Sequence, residues 1–129
     1  MTTRIFAIAN QKGGVGKTTS TINLAAFLAN AGRKTLVIDL DPQSNTTTGL
    51  GVDSHAVGVS IYEVLVNESV KPGDVIRKEI RPNLALLPAK VDLYAADIEL
   101  VYLDNREYRM RHILDQIRSD YEFILIDCP

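Results

Sequence analysis

Eight residues near the start of the chain, Lys12-Gly13-Gly14-Val15-Gly16-Lys17-Thr18-Thr19, constrain what it can fold into more than any other stretch. They follow an apolar run, Ile5-Phe6-Ala7-Ile8-Ala9, and precede a long helical pattern that begins near Lys17. A strand, a tight glycine-rich loop and a helix N-terminus in succession make an anion site. The loop presents backbone N–H groups, and the helix dipole adds partial positive charge at the same place. Lys17 is expected to reach the β- and γ-phosphates of a nucleotide, and the Thr18 hydroxyl to bind Mg²⁺.

The stretch departs from the general P-loop pattern, G-x-x-x-x-G-K-S/T, at one position. Counting back from Gly16, the first glycine should fall at residue 11, which is Gln11, and a second lysine, Lys12, stands at the mouth of the loop. A glycine-rich turn that only joined a strand to a helix would not need Lys17-Thr18-Thr19 at the helix start. A dinucleotide loop requires G-x-G-x-x-G/A, and Gly14-Val15-Gly16-Lys17-Thr18-Thr19 ends in the wrong residue.

The rest of the chain supplies a matching frame. Residues 4–9 read as a short buried strand, apolar throughout as parallel strands covered on both faces are. Leu24, Phe27, Leu28 and Ala31 fall at helical spacing and predict the apolar face of the following helix. Gly32 stands where a helix C-terminal glycine belongs. Thr35-Leu36-Val37-Ile38 predicts a second strand ending at Asp39, parallel to the first through a right-handed crossover. Residues 42–58 read as a surface loop with room for one helical turn. Ser60, with Glu63 three residues on, predicts an N-cap for a short helix through about Asn67, and Pro72-Gly73 a turn or helix start. Leu84-Ala85-Leu86-Leu87 predicts a third strand. A helical region follows from about Leu93, broken near Asp104-Asn105, with Met110, Ile113, Leu114 and Ile117 at helical spacing. Phe123-Ile124-Leu125-Ile126 predicts a last strand ending at Asp127. The expected fold is α/β: a three-layer α-β-α domain around a mainly parallel sheet.

At 129 residues the chain is of single-domain size. With net charge −2 it has no overall attraction for DNA or anionic lipid, so any such contact must come from a local patch. The lone Cys128 allows no intramolecular disulfide, and a reducing cytosol is the simpler setting. Neither a charged-then-apolar leader nor an apolar run of ~18 residues is present, so a cytoplasmic protein without a membrane span is expected.

In open parallel sheets, ligands lie beyond the carboxyl ends of the strands. The loop, Asp39, Asp41 and Asp127 all fall there. Asp127, ending an apolar strand, is expected to hold Mg²⁺ through a bound water, opposite the Thr18 hydroxyl. Asp39 and Asp41 are two residues apart, so in extended backbone their side chains point the same way. Chemistry alone does not separate their roles. Arg106, Arg109, Arg111 and Arg118, with His112, are diluted by Glu107, Asp115 and Asp120 and read as a solvated helix face. Cys128 reads as a small packed residue.

Lys12 to Thr19, with its extra lysine, resembles the deviant Walker A motif of the ParA/MinD class of ATPases. Val37-Ile38-Asp39-Leu40-Asp41-Pro42-Gln43, Asn45 to Gly51, and Ile124-Leu125-Ile126-Asp127-Cys128-Pro129 resemble its ParA/Soj partition branch. The resemblance runs over essentially the whole sequence. It implies a P-loop NTPase using ATP and Mg²⁺, and a role in chromosome or plasmid partitioning. It assigns Asp41 to orienting the attacking water, with Asp39 as a support near the metal or the loop. Lys12 would reach across an ATP-bound homodimer to the partner's phosphates, much as an arginine finger does. A ParB-like partner and non-specific DNA binding, by residues beyond Pro129, are also implied, with nucleoid association of the full-length protein. Residues 1–129 would then be the N-terminal part of one ATPase domain. A MinD-like division regulator at the membrane, and a nucleotide-binding module without turnover, are the rival readings.

Overall fold

The computed structural model describes residues 2–9, 15–91 and 106–128. Its strands are β1 (Arg4–Ile8), β2 (Thr35–Asp39), β3 (Arg77–Arg81), β4 (Leu84–Leu87) and β5 (Phe123–Asp127). Its α-helices are α1 (Val15–Asn30), α2 (Asn45–Gly49), α3 (Ile61–Val66), α4 (Pro72–Val75) and α5 (Arg106–Ile117). The strands form one sheet in the order β1-β5-β2-β4-β3. All neighbouring pairs are parallel except β3 with β4. β1 and β2 therefore run parallel, as the sequence predicts, but β5 lies between them.

The central strands β2, β4 and β5 are buried almost end to end, and their alternate residues feed two separate cores. Leu36, Ile38, Ala85, Leu87, Ile124 and Ile126 pack with Ile61, Val64, Leu65, Ile76, Ile113 and Ile117 of α3, α5 and the end of α4. On the opposite face Val37, Leu84, Leu86 and Leu125 pack with Ala25 and Ala29 of α1 and with Leu50. The three expected layers follow from this alternation.

Several local signals act as predicted. At the end of α1, Gly32 takes φ +81°, and Gly32 and Arg33 donate to the carbonyls of Ala29 and Leu28, closing a Schellman motif. Ser60 and Glu63 form a reciprocal capping box on α3. No helix among the described residues is long and apolar enough to cross a membrane.

Three expectations need correction, and one strand goes beyond them. β1 is not buried: it pairs only with β5, at a sheet edge, and Phe6 is 44% exposed. The buried face of α1 is turned about one residue from the predicted one. Thr21, Ala25 and Ala29 face the sheet, whereas Leu24 and Ala31 are exposed and Phe27 is 69% exposed. β3 was not foreseen, because Arg77-Lys78-Glu79-Ile80-Arg81 lacks an apolar face; its exposed charges suit an edge strand. Arg109 does not belong to a solvated face. It is buried, its Nε donating to the Leu65 carbonyl at 2.9 Å and its Nη2 to that of Val64 at 3.3 Å, so it satisfies the C-terminal carbonyls of α3. The helical region expected between Leu93 and Asn105 lies outside the described residues.

Candidate functional site

β2 and β5 run in register, so the aspartates that end them, Asp39 and Asp127, are direct partners across the sheet. Just past the strand ends the Leu40 N–H donates to the Asp127 carbonyl at 2.9 Å, and the Cys128 N–H to that of Ile8 at 3.0 Å. These bonds keep the chain together to the point where it leaves the sheet. Both aspartates are fully buried.

Among the described residues Asp127 holds two partners, one on each oxygen. Lys17, from the first turns of α1, pairs through Nζ with Oδ1. Thr46, from α2, donates its hydroxyl to Oδ2. Lys17 is buried except for 7% of its surface, and its carbonyl accepts the Thr21 hydroxyl at 2.9 Å.

Among the described residues, Asp39 is held by neutral donors alone. Its Oδ1 accepts the Asp41 N–H at 2.9 Å; its Oδ2 accepts the Thr47 N–H at 2.8 Å and the Thr47 hydroxyl at 2.7 Å. Burial pushes the Asp39 carboxyl above its usual range, against the hydrogen bonds from Thr47 and Asp41 that favour the charged form. The Thr47 hydroxyl also accepts the Ala89 N–H at 3.0 Å, so one side chain ties the end of β2 to the segment after β4.

Asp41 is half-buried in a turn made by its own loop. Its Oδ1 accepts the Gln43 N–H, and its carbonyl the Ser44 N–H, both at 2.9 Å. The extended backbone assumed for Asp39 and Asp41 does not continue past β2, because the Asp41 N–H folds back onto Asp39. Ser44, between this turn and α2, is fully buried in the left-handed region (φ 60°, ψ 31°), and its hydroxyl has no hydrogen-bond partner among the described residues.

Val15, Gly16, Lys17, Thr18 and Thr19 open α1, with Thr18 half-buried and Gly16 and Thr19 exposed. Among the described residues, a Cβ built on Gly16 meets nothing within 4 Å, which leaves that backbone open to close approach. Lys12, Gly13 and Gly14 lie outside the described residues. The structure thus brings Lys17, Asp39, Asp41 and Asp127 to one end of the sheet. It adds Ser44, Thr46 and Thr47, which the sequence reading passed over inside a polar loop. Their signal was a run of hydroxyl residues directly after the strand-ending acids, which a solvated loop would also carry. A cleft of about 710 Å³ lies at the opposite end, lined by Arg4, Phe27, Leu28, Arg33, Glu122 and Phe123; it holds none of these groups.

The family described as an AAA domain matches residues 3–129. The chromosome partitioning protein ParA of Myxococcus xanthus is 48% identical over 98% of this chain and 44% of its own length. The sporulation initiation inhibitor protein Soj of Bacillus subtilis is 44% identical over 98% of this chain and 49% of its own. Among solved structures, a cobyrinic acid a,c-diamide synthase of Mycobacterium smegmatis, with bound ATP analogue and magnesium, superposes with a TM-score of 0.87. It is 40% identical and is matched over 99% of this chain and 50% of its own. The chain spans about half the length of these relatives.

Proposed function

The chain belongs to the AAA domain family, in the ParA/MinD class of P-loop ATPases, and from that premise we propose that it binds Mg²⁺ and ATP and acts in chromosome or plasmid partitioning. The observation that carries this reading is the Lys17–Asp127 pair: a cation at a helix start set against a carboxylate at the end of a central parallel strand. In the solved relative named above the ligands are an ATP analogue and magnesium.

The residues present suit these ligands. Lys17 sits where the dipole of α1 is positive, and the backbone at Gly16 is open to close approach. Thr18 and Asp127 offer hydroxyl and carboxylate oxygens, the hard donors Mg²⁺ prefers, and such sites complete their shell with water and phosphate. In this reading Lys12, the backbone of residues 13–16, Lys17 and Thr19 line the phosphate site, and Lys17 holds the β- and γ-phosphates. Thr18 holds Mg²⁺ directly, and Asp127 holds it through water. Bound Mg²⁺ supplies charge neutralisation at the phosphate oxygens. Asp41 orients the attacking water. Asp39, with both oxygens accepting protein donors, supports the Asp41 turn beside the metal and the loop.

Lys12 crosses to the second subunit of an ATP-dependent homodimer and makes hydrolysis depend on dimerisation. Residues 1–129 form the N-terminal part of one cytoplasmic ATPase domain. The full-length protein binds non-specific DNA and the nucleoid, and a ParB-like partner stimulates it. Phosphate release tests the catalytic roles. Lys12→Ala and Asp41→Ala should bind nucleotide as the unaltered chain does, and Lys12→Ala should lose roughly 10³-fold in turnover, the low end of what a charge supplied in trans gives. Normal turnover by Lys12→Ala would remove the in-trans role and leave an ordinary P-loop NTPase.

A further inference from the structure

We propose that Thr46 is a positioning residue for Asp127, holding one carboxylate oxygen in place while the other is freed from Lys17. The inference rests on the Mg·ATP reading above. Asp127 is fully buried, and among the described residues its side chain is held by Lys17 on Oδ1 and Thr46 on Oδ2. These two partners differ in kind. Lys17 is a long, jointed side chain whose charge phosphate groups would draw away. Thr46 is short and β-branched, so its χ1 is stiff, and it is itself fully buried. Its backbone is fixed as well: the Thr46 carbonyl accepts the Leu50 N–H at 2.9 Å, and the adjacent Thr47 is bound to Asp39 and Ala89.

When Lys17 turns to phosphate, Asp127 would be a buried carboxylate with its cation gone. Such a group is costly unless hydrogen bonds remain on it. Among the described residues, the Thr46 hydroxyl is the bond that does not depend on Lys17. It keeps Oδ2 occupied and the carboxylate plane set, so that Oδ1 stays turned toward the start of α1. Thr46 thereby sets how well Asp127 serves a hydrated cation, without touching the cation itself.

The test is the Mg²⁺ concentration needed for half-maximal binding of a fluorescent ATP analogue, with binding in EDTA as the reference. Thr46→Val keeps the shape and removes the hydroxyl; Thr46→Ser keeps the hydroxyl. Thr46→Val should need about tenfold more Mg²⁺, as loss of an outer-shell partner typically does. Thr46→Ser should stay close to the unaltered chain, and binding in EDTA should change little in either variant. A folded Thr46→Val with unchanged Mg²⁺ dependence overturns the inference alone. Should Thr46→Val not fold, Thr46→Ala compared with Thr46→Ser isolates the same hydroxyl, and equal Mg²⁺ dependence of that pair overturns it. If the unaltered chain binds no nucleotide in a Mg²⁺-dependent way, the Mg·ATP reading fails and takes this inference with it.

Discussion

Asp39 and Asp127 face each other across neighbouring strands, equally buried, yet they are held in opposite ways. Asp39 is locked by backbone and hydroxyl donors from its own loop and from α2. Asp127 meets a movable cation on one oxygen and a fixed hydroxyl on the other. α2 grips both, Thr46 on Asp127 and Thr47 on Asp39. The difference teaches which carboxylate is available for exchange with a ligand. A group satisfied by its own fold has nothing to release, whereas a lysine ion pair can be traded for phosphate and metal.

The largest expected effect falls on the locked corner. Asp39→Ala leaves the Asp41 N–H, the Thr47 N–H and the Thr47 hydroxyl without their acceptor. It should cost about 3 kcal/mol or more in urea unfolding, since each unsatisfied buried group costs roughly 1–3 kcal/mol. A loss below about 1 kcal/mol would mean that Asp39 is not the anchor described. Thr47→Val removes a hydroxyl that both donates to Asp39 and accepts from Ala89, and about 2 kcal/mol should be lost, with Thr47→Ser close to the unaltered chain.

Ser44→Gly changes stability in the other direction. The left-handed backbone disfavours a residue with a Cβ by roughly 1–2 kcal/mol, and the buried hydroxyl has no partner among the described residues, while added glycine entropy offsets roughly 0.5–1 kcal/mol. A net gain of about 1 kcal/mol is expected, read as a raised urea midpoint. A loss would mean that the Ser44 hydroxyl has a function in the loop between Asp41 and α2.

The smallest effect is in pH dependence, where two acids have opposite signs. Burial tends to raise the Glu63 carboxyl, but bonds from Lys90 and Ser60 hold it below the usual 4.5. Its stabilisation is therefore present above that value and is lost as pH falls through the lowered folded value. Asp39 is raised above the usual 3.8, so it favours the fold most below that value and loses that contribution as pH rises through its folded value. Glu63→Gln should flatten the acid limb of the stability profile by under about 1 kcal/mol, because the Glu63–Lys90 pair is partly exposed. An unchanged acid limb would show that the pair contributes nothing to it.

What the sequence made legible was whatever has a local cause. The three apolar runs that end in Asp39, Pro88 and Asp127, the capping box at Ser60 and the turn at Gly32 are each dictated by a few adjacent residues. The burial of β1 depends on its neighbours across the sheet, which its own five residues do not encode. On α1, periodicity weighted by size picks Leu24 and Phe27. Close approach of helix to sheet instead favours the small Thr21, Ala25 and Ala29, one residue further round. The strand-ending acids were legible because parallel sheets place ligands at those ends. Thr46 and Thr47 were not, since a buried hydroxyl and a solvated one look alike in a row of polar residues.

The most direct test is a calorimetric titration of the chain and of Lys17→Ala with ATP, with and without Mg²⁺. Binding that requires Mg²⁺ and weakens about 100-fold in Lys17→Ala, a loss of about 2.7 kcal/mol, is the predicted result. Equal affinity in the two proteins, or binding indifferent to Mg²⁺, would contradict the view that the Lys17–Asp127 pair is the exchangeable centre of the site.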